Sequence, residues 1–164
     1  MNIIKKKDTV KKLALSALAV LLAAAFYFIY AGGYQNEKQL SYVEIDGKRV
    51  RVEIAQTPEE KMKGLSGRSN LSEGAGMLFT FDEKDRLTFW MKDMQFDLDF
   101  IWIADNTIVD THKNVPAPKK GQAQLDTYSP SVPADKILEV RAGWIQENFG
   151  DTDLRGEKIN IFIQ

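Results

Sequence analysis

Residues 13–31 contain no charged side chain, and the twelve residues before them carry Lys5, Lys6, Lys7, Lys11 and Lys12. A helix of that length rises about 28 Å at roughly 1.5 Å per residue, close to a bilayer hydrocarbon core of about 30 Å. The pattern predicts one membrane-spanning helix over 13–31, with the basic end cytoplasmic and the following chain outside. A cleaved signal peptide is the competing expectation, because Ala23-Ala24-Ala25 offers a small-residue cleavage site. Cutting there would leave a new N-terminus beginning Phe26-Tyr27-Phe28-Ile29-Tyr30, and Tyr27 and Tyr30 suit an interfacial belt better. Gly32 to Lys38 read as a polar stalk within 32–39.

From residue 40 onward the pattern alternates. Val43 and Ile45 interleave with Tyr42 and Glu44, and Val50, Val52 and Ile54 interleave with Arg49 and Arg51. Asp46-Gly47 between them is a strong hairpin signal. A two-residue turn there pairs Val43 with Val50 and Glu44 with Arg49, so the apolar residues share one face. Thr57-Pro58-Glu59-Glu60 has the form of a capping box with proline at the first helical position, which predicts a short helix ended by Gly64 and Gly67. Further strands are predicted over 77–81, 86–91, 96–104, 107–115, 137–141 and 158–163. A second short helix is predicted over 143–149. The hairpin of 96–104 with 107–115 turns at Asp105-Asn106. Residues 116–136 hold four of the five prolines and little periodicity, which predicts a long loop.

The expected architecture is mainly β: one sandwich, jelly-roll-like or partly open barrel domain over 40–164, with about eight short strands and two short helices. An N-terminal transmembrane helix and a basic segment, 1–12, precede it. Cysteine is absent, which excludes thiol catalysis, zinc–thiolate sites and disulfide bonds. Without the five lysines and Asp8 that precede the span, 17 basic and 22 acidic residues remain of totals of 22 and 23, a net charge of −5. That sign gives no footprint for nucleic acid, so none is expected as a partner.

Several segments act together as a signature: Lys63-Gly64-Leu65-Ser66-Gly67-Arg68, Gly76-Met77-Leu78-Phe79, Phe89-Trp90-Met91-Lys92, Leu98-Asp99-Phe100-Ile101, Leu138-Glu139-Val140 and Ala142-Gly143. In combination they resemble the exported domains of the domain of unknown function (DUF) 192 family, over roughly three quarters of the chain. The resemblance implies a mainly β, jelly-roll-like fold and implies no activity. The chain departs from the family pattern after Lys92, where Asp93-Met94 replaces the usual Asn-Thr and Asp97 stands in a proline position.

Chemistry is concentrated around Asp99. On the strand 96–104, Asp97, Asp99, Ile101 and Ile103 share one face, and Phe96, Leu98, Phe100 and Trp102 the other. Large apolar residues on both faces predict a central strand. A carboxylate at the edge of such a layer needs a partner. Extending the two-residue turn sets Asp99 opposite His112, Trp102 opposite Val109 and Ile103 opposite Ile108. Arg68, matching the arginine of the family's Gly-Leu-x-x-Arg pattern with one residue more of spacing, is the other expected partner. The candidate ligand-binding residues are therefore Arg68, Trp90, Asp97, Asp99 and His112. Asp99 and His112 are also the weak catalytic candidates, as an oriented general base. Trp90 is either core or an exposed stacking platform. Asp93, Asp97, Asp99 and Asp110 match no calcium-loop spacing, and neither a metal nor a cofactor is expected.

Three functions fit. The first is a membrane-tethered extracytoplasmic binding or accessory module for an unknown small molecule, glycan or envelope protein. The second is a structural envelope domain without a ligand. The third is a hydrolase-like enzyme using Asp99 and His112 beneath a 116–136 lid.

Overall fold

The computed structural model describes residues 41–164 and, before them, only Val20, Leu22, Ala23 and Phe26, which are helical. The chain divides into two compact units, Met1–Gln39 and Leu40–Gln164. The expectations for the basic segment, the span and the stalk fall largely on residues outside the described ones. Among the described residues, no helix is long and apolar enough to cross a membrane.

The alternation that opens the second unit folds as its turn residues dictate. Strands β1 (Tyr42–Ile45) and β2 (Lys48–Ala55) pair antiparallel, with Val43 opposite Val50 and Glu44 opposite Arg49. Asp46 and Gly47 both have positive φ, which the tight turn requires and which suits this dipeptide. Thr57 then caps α1 (Pro58–Lys63): its hydroxyl accepts from the Glu60 amide while the Glu60 carboxylate accepts from the Thr57 amide. This helix lies in the crossover that brings β3 (Ala75–Asp85) parallel to β2, the one parallel pairing of the sheet.

Strands β5 (Leu98–Ala104), β6 (Thr107–Val115), β8 (Ala134–Arg141) and β9 (Ile159–Phe162) join β1, β2 and β3 in one sheet. Its order is β6-β5-β8-β3-β2-β1-β9. The two edges of the sheet meet where Thr107 of β6 bridges Lys158 beside β9, and the Ile108 amide donates to the Glu157 carbonyl at 2.9 Å. The sheet is thus curled into a half-barrel. The Gln164 amide donates to the Ser41 hydroxyl at 3.2 Å, so the two ends of the unit lie side by side.

Two apolar layers result. The inner one is mostly aliphatic, built on Val43, Ile45, Val50, Leu78, Ile101 and Val140, and closed by Trp144 and Ile145 of α2 (Trp144–Phe149). The outer one lies on the opposite face of β3, β8 and β5 and is richer in aromatic and methionine side chains, including Phe79, Phe100, Trp102, Met77 and Met91. A two-stranded ribbon of β4 (Phe89–Trp90) and β7 (Thr127–Tyr128) covers it.

The structure corrects several expectations. There are nine strands among the described residues, the unexpected one being the two-residue β7. The predicted 86–91 strand shrinks to Phe89–Trp90, and the loop 116–136 contains β7 and the start of β8. β5 is central and buried on both faces, as the pattern demanded. Its register with β6 is another matter. Ile103 does face Ile108, but Trp102 faces Asp110 and Phe100 faces His112. Val109 is an extra residue, a bulge that shifts the pairs from Trp102–Asp110 to Phe100–His112 by one and sends His112 to the other face. A second irregularity falls at Asn114, with φ of 55°, beside Asp99.

Candidate functional site

Register across the sheet sets one row of side chains on the outer face: Glu53 of β2, Met77 of β3, Glu139 of β8, Phe100 of β5 and His112 of β6. Glu139 is the centre of that row. It is 5% exposed, and with Asp99 it is one of the two charged residues buried in the described structure. Above it lies a cavity of about 270 Å³, walled by Phe79, Phe89, Leu98, Met91 and Met94. Trp90, 56% exposed, and the aliphatic stems of Lys61 and Lys63 stand at its mouth.

Each wall has a local cause. Phe89 meets Phe79 at 5.0 Å and Trp102 at 5.6 Å between ring centroids, both edge to face, which fixes the ribbon on the sheet. Gly64, after α1, has φ of +48°, and a β-carbon there would sit 3.2 Å from the Phe79 ring. Glycine therefore lets the loop lie on that ring. The loop is stitched to the segment after β4 by the Ser66 hydroxyl donating to the Lys92 carbonyl at 2.9 Å and by the Gly67 amide donating to the Asp93 carbonyl at 2.9 Å.

The carboxyl of Glu139 has no hydrogen-bond or ion-pair partner among the described residues, and its oxygens are open to the cavity rather than sealed. Burial alone pushes it up to about 8. At neutral pH it is a carboxylic acid, with one O–H to donate.

Asp99, buried on the other face, is in the opposite condition. One oxygen accepts from the Asn114 amide at 2.7 Å and the other from the Ile145 amide at 2.9 Å. It satisfies the second irregularity of β6 and the first turn of α2, whose Gly143 cap has no side chain to offer. Asp97 accepts from the Ala117 amide at 2.7 Å and anchors the start of the long loop. His112 accepts from the Trp102 indole at Nδ1, at 2.8 Å. Arg68 makes a two-pronged pair with Glu53, at 2.5 and 2.8 Å, at one end of the outer row.

Two predicted juxtapositions are therefore overturned. Asp99 and His112 lie on opposite faces of the sheet, so they form no acid–base pair, and Arg68 clamps Glu53 rather than Asp99. Of the five candidates, only Trp90 lines the cavity. Glu139 went unselected, although it stands between Leu138 and Val140 on a strand apolar on both faces, the same signal that singled out Asp99. Among the described residues, no group of three His, Asp or Glu side chains could hold a metal. A second cavity, of about 620 Å³, lies under the loop at Pro116–Asp126 beside Met91 and Tyr128, and no buried titratable group faces it.

Comparison with known proteins places this fold. A crystal structure of a proposed transcription regulator from Sinorhizobium meliloti 1021 matches 74% of this chain and 91% of its own, at 26% identity and a TM-score of 0.63. A protein of unknown function from Novosphingobium aromaticivorans DSM 12444 matches 74% of this chain and 83% of its own, at 26% identity and a TM-score of 0.61. No match was found among curated proteins. The family model described as "DUF192: Uncharacterized ACR" matches residues 41–152, more than half of the sequence and nearly all of the β unit, and the chain belongs to that family.

Proposed function

We propose that this chain is a ligand-binding or accessory module of the cell envelope, held at the membrane by residues 13–31 with the β domain on the outer side. One observation carries the binding part: the unpartnered Glu139 carboxyl at the floor of an aromatic-walled cavity. Burying a polar group without a partner is costly, and a fold that only needed packing would place an apolar residue there. The tether rests on the lysines and the uncharged stretch. It is consistent with the exposure of Val20, Leu22 and Phe26, at 68%, 63% and 62%. If the segment is cleaved as a signal, the same domain is secreted.

The second reading is a structural envelope domain. It is favoured by Asp97, Asp99 and Arg68, each of which is used up in holding the fold. A hydrolase built on Asp99 and His112 loses its motive, since the two side chains do not meet. The regulator description of the Sinorhizobium protein is not carried over, because a net charge of −5 repels phosphate.

Topology is tested by protease treatment of intact cells, or of spheroplasts where there is an outer membrane: the domain should be digested, and a protected domain refutes the tethered arrangement. Binding is tested by thermal shift of the full chain against envelope glycans and small metabolites. A ligand at a hundred times its dissociation constant should stabilise by about 2.7 kcal/mol. Shifts that survive filling the cavity by Met94→Trp would place the ligand elsewhere.

A further inference from the structure

We infer that the cavity over Glu139 takes a neutral or anionic aryl or acyl compound whose carbonyl-type oxygen accepts a hydrogen bond from the Glu139 carboxyl. The inference rests on the binding reading of this site and names its ligand chemistry.

Size comes first. A cavity of about 270 Å³ is at the small end of ligand pockets and suits one ring or a short chain. The walls are mostly aromatic rings, thioethers and Leu98, which pack on apolar surface, and the two hydroxyls among them are engaged, Ser66 with the Lys92 carbonyl and Thr88 with Ser129. Orientation must therefore come from the floor, where Glu139 is the one buried charged side chain of the lining and has no partner among the described residues.

The state of that side chain decides what it recognises. No cation faces it closely. On its own strand, Arg141 is paired with Glu147. β3 and β5 present Met77, Phe79, Leu98 and Phe100 on this face. Glu53 of β2 is clamped by Arg68, and His112 of β6 is taken by Trp102. Lys61 and Lys63 stand at the mouth, and the Lys61 ammonium sits 4.3 Å above the Phe81 ring rather than reaching the floor. The shift of Glu139 has desolvation as its cause and no charge partner. The buried acid keeps its proton and is a donor, so its complement is an acceptor.

Aromatic walls with a carboxyl floor also describe a cage for organic cations. The mouth argues against that use here. Two lysines line it, Lys92 lies 5.9 Å from the Trp90 ring centroid, and no carboxylate lines the cavity besides Glu139 itself. A cation would approach through like charge, whereas a carboxylate at the outer end of a ligand would be attracted.

Benzamide, benzoate and benzyltrimethylammonium separate these cases, with binding to the full chain followed by NMR at pH 6.5 and pH 9. Benzamide and benzoate should bind at pH 6.5 and weaken about tenfold at pH 9, where an acid of about 8 is mostly ionised. Glu139→Gln keeps a donor, so benzamide should still bind and the pH dependence should vanish. Preference for benzyltrimethylammonium, rising with pH and lost in Glu139→Gln, overturns the acceptor assignment and leaves the pocket reading intact. No binding of any probe at either pH overturns both. The pH comparison on the unaltered chain decides the matter even where the variant folds poorly.

Discussion

Asp99 and Glu139 sit on neighbouring strands of one sheet, both buried, on opposite faces. Their surroundings differ in kind. The inner layer meets Asp99 with two backbone amides, one for each oxygen. The outer layer meets Glu139 with aromatic rings and a cavity. Burial alone does not separate a structural carboxylate from a recognition group. The count of donors does, because a satisfied carboxylate has nothing left to offer a ligand. The layers differ in construction too. The inner one is enclosed by the seven-stranded sheet curled around it and by α2. The outer one is roofed by two-residue strands and a glycine-rich loop, and that is where an opening can exist.

Removing Asp99 should do the greatest damage. Asp99→Ala strips two charge-assisted hydrogen bonds and strands the buried Ile145 amide and the part-buried Asn114 amide, at about 3–5 kcal/mol in denaturant unfolding. A loss below about 1 kcal/mol would mean that water replaces it and that the two carboxyls are less different than they look.

The pH response of Glu139 is next. Its folded value of about 8 lies above the usual 4.5, so the folded state holds a proton that the unfolded chain releases. The stability this confers is complete below about pH 4.5 and is lost as pH rises towards 8, at about 1.4 kcal/mol per unit. Relative to Glu139→Gln, the unaltered domain should lose about 2–3 kcal/mol between pH 5.5 and 7.5. Parallel curves would show that Glu139 is solvated or paired.

Gly76 lies on β3, which pairs with the Glu139 strand β8 on the side away from β5. A β-carbon there would be 2.7 Å from the Glu139 carbonyl and 2.9 Å from Val50. Gly76→Ala should cost about 1–3 kcal/mol by forcing β3 from β8, and should loosen both layers. The smallest effect is expected at Arg68, since its pair with Glu53 is 34% and 60% exposed. Arg68→Gln should change stability by less than about 1 kcal/mol. A larger loss would make the edge of the outer row structural.

What the sequence disclosed follows the same division. The β1–β2 register was legible because Asp46-Gly47 fixes a turn and the alternation agrees with it. The burial of β5 was legible from large residues on both faces. The pairing of Asp99 with His112 failed because the Val109 bulge has no signature of its own: no glycine marks it, and a single extra residue reverses the face of the residues that follow, as far as the second irregularity. The partners of Asp99 are backbone amides, which every residue has and no motif announces. Glu139 was visible by the logic used for Asp99, yet a glutamate beside Arg141 on a strand reads as solvated until the roof over it is known.

The bond between Ser41 and Gln164 marks where β9 closes on β1. Every other strand of the unit is made before β9, so throughout synthesis β1 keeps an open edge and the half-barrel cannot shut. Such an unfinished edge is a template for wrong pairing. β9 alone covers that edge of β1, so the docking of β9 is the step that withdraws the template.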